Sequence, residues 1–197
     1  KSIAALDQAM EENQRIFLVA QRDMDVDDPA VDDIYHVGTI ACVKQVLRLP
    51  GGNVRLLVEG KSRAVLRAVT QEEPYFVGAL DEVLEQGTPV SIETDALLRT
   101  AHHYFEEYCK MSGRISGETM QSVLEIEDPG QLADIIAANV LSKIEDRQQV
   151  LEEFDELARL ESVCALLVRE TELAGVEKKV QARVRKQIEQ NQKDYFL

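Results

Sequence analysis

The stretch from Ala174 to Leu197, AGVEKKVQARVRKQIEQNQKDYFL, constrains this chain more than any other. Together with Leu173 it sets apolar side chains at Val176, Val180, Val184, Ile188 and Tyr195, a spacing of three, four or seven that marks one face of an α-helix. No Gly, Asn or Pro stop signal closes it. The pattern runs upstream through Leu157, Leu160, Cys164 and Leu167. One helix starting near Asp155 therefore holds about 40 residues and reaches roughly 60 Å at 1.5 Å per residue, about twice the diameter of a small domain. A helix of that length cannot bury its whole stripe on a body made from the remaining residues. Its distal half is expected to project towards something this chain does not contain, as in a piece of a larger machine, and Lys1 in place of an initiator Met points to trimming at the front as well.

With 197 residues the chain can bury around 70% of its unfolded surface, enough for one large domain or two small ones. There is no Trp, aromatic residues make up 5%, and the apolar runs fall far short of the ~18 residues a membrane span requires. Neither a signal peptide nor a transmembrane segment is recognisable. Cys42, Cys109 and Cys164 are an odd count in apolar contexts, which fits reduced thiols in a cytoplasmic protein and not a disulfide framework.

The charge is unevenly spread. Residues 1–90 carry 9 basic and 15 acidic side chains, residues 91–160 carry 6 and 15, and residues 161–197 carry 7 and 6. A net charge of -14 disfavours nucleic acid as a partner of the body, since phosphate contacts supply most of that affinity. In the tail, Lys178, Lys179, Arg183, Arg185, Lys186 and Lys193 face only Glu177, Glu189 and Asp194, the pattern of a solvated helix face.

The organisation changes near Gly87. A short helix over residues 2–13, with Ser2 as candidate cap and Ile3, Leu6 and Met10 on one face, precedes strand-like runs at 16–20, 35–49, 54–59, 63–69 and 75–84. Pro50, Gly51, Gly52 and Asn53 supply the backbone freedom for a tight hairpin turn. The crossovers of helix length that parallel sheets require are missing, so residues 1–86 read as an antiparallel barrel or sandwich. From 87 to 197 the signals are helical. Leu97, Leu98, Ala101, Phe105 and Tyr108 repeat along 91–111, and Ser116 caps a piece containing Met120, Val123 and Leu124. Asp128 followed by Pro129, with Gln131 able to reach back, opens another helix, and Asp146 with Gln149 repeats the logic before 150–154. The fold class is thus α+β: a strand-rich antiparallel unit, then a bundle of four or five helices ending in the long one.

Three constellations mimic chemistry. Gly60, Lys61 and Ser62 spell the end of a phosphate-binding loop, but Arg55 stands where its first Gly is required. Asp23, Asp25 and Asp27 begin like a calcium loop, with Asp28 at the turn-making sixth position and Ile34 at the bidentate twelfth. His102 with Glu106, and His103 with Glu107, are spaced to share a helix face, yet a metal site needs a third ligand and the remaining histidine is His36. No nucleophile elbow or spaced acidic pair is present. The expectation is of no catalytic residue, no metal site and no cofactor held by these residues.

Three separated motifs then point to one family. VGTIACVKQVLRLPGGNVRLLVEGKSRAVL (37–66), DPGQLADIIAANV (128–140) and KKVQARVRKQIEQNQKDYFL (178–197) resemble, in order and spacing, the amino-terminal region of the ATP-dependent Lon proteases, and the resemblance covers essentially the whole chain. It implies a PUA-like subdomain and a helical bundle whose final helix leads into an AAA+ ATPase module, which would use ATP and Mg, and a Ser-Lys peptidase. It also implies unfolded or damaged polypeptides as partners, a homo-hexamer in the full-length protein, and Leu173, Val176, Val180, Val184, Ile188 and Tyr195 as an assembly and coupling face.

The family usually begins with an apolar, proline-containing strand before the position matching Lys1, which this chain lacks, and the resemblance assigns no substrate-contact residue. The alternative class is a stand-alone PUA-like binding module or adaptor, RNA-binding by analogy with such folds. The acidic body weighs against RNA, and the uncapped apolar helix weighs against a stand-alone chain.

Overall fold

The computed structural model describes residues 1–196 and divides into two compact units, Lys1–Gln86 and Gly87–Leu197. In the first, α1 (Ser2–Glu11) leads to Gln14 at φ 61°, whose carbonyl accepts from Val43 N at 2.7 Å and turns the chain into β1 (Arg15–Leu18). The strands β2 (Val37–Arg48), β3 (Val54–Gln71) and β4 (Val77–Glu82) follow. They form a single antiparallel sheet in the order β1-β2-β3-β4, a meander in place of the expected barrel or sandwich. Leu6, Ala9, Ile34, Ile40, Ala41, Val43, Ala64 and Leu66 are its buried side chains.

Several local expectations change. Ser2 is the first residue inside α1 and makes no capping bond, because the helix already begins after Lys1. The buried face of α1 carries Leu6 and Ala9, whereas Ile3 and Met10 are exposed. Runs 54–59 and 63–69 are one strand: Gly60, Lys61 and Ser62 continue the ladder, with Gly60 opposite Ala41 and Ser62 opposite Ile40. A Gly and a Ser do not break a strand whose ladder to β2 continues through them. The 50–53 turn forms as read, with Gly51 and Gly52 at φ 88° and 81° and Leu49 N donating to Asn53 O at 2.8 Å.

In the second unit α2 (Ile92–Ser112) starts at Ser91, whose hydroxyl accepts from Thr94 N at 3.1 Å, and stops at the left-handed Gly113. α3 (Gly117–Leu124) is capped by Ser116, and α4 (Pro129–Val140) by Asp128, which accepts from Gln131 N at 2.7 Å. Gln131 contributes its amide, not its side chain. α5 (Ile144–Glu152) begins two residues before the expected Asp146 cap, so Asp146 lies in the first turn and its carboxylate meets the Arg169 guanidinium instead. α6 (Glu156–Tyr195) runs for 40 residues from the Asp155 cap. Phe105, Val123, Leu132, Ile136, Val150, Leu160, Val163 and Leu167 form the core that α6 shares with α2 and α4.

Candidate substrate and assembly surfaces

Along α6 the apolar arc moves around the helix. The buried residues Arg159, Leu160, Val163, Cys164, Leu166 and Leu167 face α2 and α4. At 3.6 residues per turn, the four-residue steps from Val176 through Val180 and Val184 to Ile188 drift around the helix, from roughly 160° to roughly 40° from the centre of that buried arc. The stripe is therefore not one continuous face from Leu157 to Tyr195. The last body contacts are Met111 beside Gly175 and Arg114 bonded to Glu177 at 3.0 Å. Leu173 and Val176, beside these contacts, are 47% and 56% exposed, and past Glu177 every described side chain is exposed, Val180, Val184 and Ile188 between 39% and 52% and Tyr195 at 90%, edge-on to Phe196. Val180, Val184 and Ile188 line one shallow, largely apolar face with Gln181, Arg185 and Glu189 at its borders.

In the strand-rich unit Leu47 and Leu57 are exposed on one face of the β2–β3 pair and Leu56 on the other. These residues were missed in the sequence because alternation in β2 and β3 does not tell where neighbouring strands stop.

The mimics of chemistry are dispersed by the fold. Lys61 reaches Glu59 at 2.8 Å, as Lys44 does from β2, and these two ammonium groups hold the Glu59 carboxyl down at about 2. Asp23 accepts from the amide of Asp25 at 2.9 Å and so closes a local turn. His103 meets Glu107 at 3.4 Å, whereas Glu106 turns to Lys110 at 3.2 Å and leaves the buried Nε2 of His102 without a hydrogen bond. Among the described residues no three His, Cys, Asp or Glu converge as a metal-ligand set, and no helix is long and apolar enough to cross a membrane. The thiols of Cys42, Cys109 and Cys164 are free; burial raises the latter two, Cys164 to about 11.

The chain thus combines an antiparallel sheet unit with a helical bundle that ends in a 40-residue helix with exposed apolar side chains. Residues 1–169 match the family model of the ATP-dependent protease La (LON) substrate-binding domain, and the chain belongs to that family. It is 46% identical to a Lon protease of Desulforamulus reducens and 42% identical to that of Escherichia coli, in each case over the whole chain. It spans about a quarter of the length of these curated relatives, 24% and 25%. The fold is that of the N-terminal domain of a Mycobacterium avium complex Lon protease, with a TM-score of 0.63, 26% identity, and coverage of 86% of this chain and 84% of that one. A Lon N-terminal domain protein from Xanthomonas campestris, 12% identical, shares the fold at a TM-score of 0.57 over 83% of this chain and 82% of that one.

Proposed function

We propose that this chain is the non-catalytic N-terminal domain of an ATP-dependent, cytoplasmic Lon serine protease, where it engages unfolded or damaged polypeptides and supports organisation of the hexamer. The single observation that carries the reading is the match of residues 1–169 to a substrate-binding domain model in a chain similar throughout to Lon proteases. The exposed stripe Leu173, Val176, Val180, Val184, Ile188 and Tyr195 then acts in assembly and in coupling capture to the ATPase and peptidase modules, which would bring ATP, Mg and the Ser-Lys pair. Capture is weak at each copy, and repetition around a hexamer multiplies it through effective concentration.

The test uses the purified chain with ATP, with a labelled unfolded protein and with a structured RNA. Weak saturable binding of the unfolded protein, without ATP turnover or cleavage, supports the proposal. Turnover abolished by a point change in this chain, or binding of RNA and not of unfolded protein, overturns it.

A further inference from the structure

Within the helical unit, the last turn of α2 and the turn into α3 share a cleft of about 470 Å³ with the turn between α4 and α5. That volume lies in the range of small-molecule sites. Tyr108 of α2 lines it and is only 5% exposed, yet its hydroxyl makes no hydrogen bond among the described residues. Buried tyrosine hydroxyls normally find a partner, so this one is left with a donor for something in the cleft.

The rest of the polar lining also donates. Arg147 of α5 gives Nε to the Leu141 carbonyl at 2.6 Å and Nη2 to the Ala138 carbonyl at 3.5 Å. Both partners are neutral, so the guanidinium keeps its charge, and its Nη1 makes no bond among the described residues. Arg114 is paired through Nη2 with Glu177 at 3.0 Å, but both side chains are partly exposed, 69% and 41%, and such pairs are weak. Thr119 Oγ1 accepts from the Ser116 hydroxyl at 2.9 Å and keeps its own hydrogen to donate. Ser142 adds a hydroxyl beside the start of α5, a helix end without a side-chain cap whose first amides favour negative charge. Among the described residues no Asp or Glu lines the cleft. The net charge of -14 acts little here, because exposed charges beyond about 8 Å are screened at physiological salt.

We propose that this cleft is a binding site for one phosphate group, free or on a small phosphate ester. A planar carboxylate is satisfied by a single guanidinium fork, whereas donors from α2, α3 and α5 suit the oxygens of a tetrahedral anion. Tyr108, Thr119 and Arg147 hold the phosphate, and Ile115, Val140 and Leu141 supply an apolar wall for what it is esterified to. One unpaired guanidinium in a concave site suits a single phosphate and not the repeated charges of a nucleic-acid backbone.

The experiment is isothermal titration calorimetry of the purified chain at constant ionic strength with inorganic phosphate, glycerol phosphate and acetate, beside thermal unfolding without ligand. Saturable binding of phosphate or glycerol phosphate is expected, with acetate at least about tenfold weaker; the tighter of the first two tells a free anion from an ester. Arg147→Gln should weaken binding about tenfold. Tyr108→Phe should weaken it several-fold with the ligand-free midpoint unchanged, since the hydroxyl holds nothing in the protein. That variant keeps the test independent of the fold, which Arg147 also supports through its two carbonyls. Absence of saturable binding, acetate binding as tightly as phosphate, or phosphate binding that neither variant alters overturns the proposal. A lowered ligand-free midpoint in Tyr108→Phe assigns the hydroxyl to the fold and overturns it as well.

Discussion

Arg159 is the largest fully buried side chain among the described residues, and it holds the start of α6 together. Its guanidinium donates to the carbonyls of Glu153 at 2.8 Å and Phe154 at 3.4 Å and reaches Asp134 of α4 at 3.4 Å. Gly130 lies so near that an added Cβ would be 3.3 Å from Arg159 Nη1. Arg159→Leu strips these oxygens of their donor and is expected to cost about 2–4 kcal/mol in urea unfolding, with Arg159→Lys only a partial rescue because one ammonium cannot span the fork. Nothing in the sequence marks this residue, since it sits among exposed charges in the periodic pattern and is buried only by three helices meeting. Cys164 supplies a pH signature. Burial raises its thiol from 9.0 to about 11, so the unfolded chain loses that proton first as the pH rises. The contribution is complete below about pH 9 and is lost as the pH approaches 11. The thermal midpoint should fall across that window, and fall less in Cys164→Ala.

At the scale of elements, α6 divides by what its side chains touch. Leu160→Ala and Leu167→Ala remove buried aliphatics from the core and should each cost about 2–5 kcal/mol. Val184→Ala and Ile188→Ala, half exposed, should stay within about 0.5 kcal/mol in the isolated chain. In the full-length protein the distal pair should instead weaken hexamer formation, read by sedimentation. Equal destabilisation of the isolated chain by both pairs would remove the assembly reading. In the sheet, Gly38 allows β1 to lie against β2: an added Cβ would fall 2.3 Å from the Leu18 carbonyl and 2.7 Å from the Phe17 ring. Gly38→Ala should therefore lower the unfolding midpoint clearly, because the obstacle is backbone and cannot rotate away. Helix starts at Ser91, Ser116, Asp128 and Asp155 were legible, since a cap is a local bond between residues three apart. The Asp146 cap was not, because a distant Arg169 competes for the same carboxylate.

For the whole molecule, charge decides between partners. A chain with 36 acidic and 22 basic side chains should show no saturable binding to duplex DNA or structured RNA at physiological salt, measured by anisotropy. Binding that persists there would favour the nucleic-acid alternative. The sequence by itself determined the antiparallel character of residues 1–86, the hairpin at 50–53, the 40-residue helix and the family, because turn chemistry, capping and 3.6-residue periodicity act between residues close in the chain. Tertiary structure decided the rest. It made one strand of two apolar runs, left the end of the β2–β3 pair beyond its neighbours, and buried Arg159. Each depends on which distant elements cover a given face and where they stop, and no local spacing encodes that length.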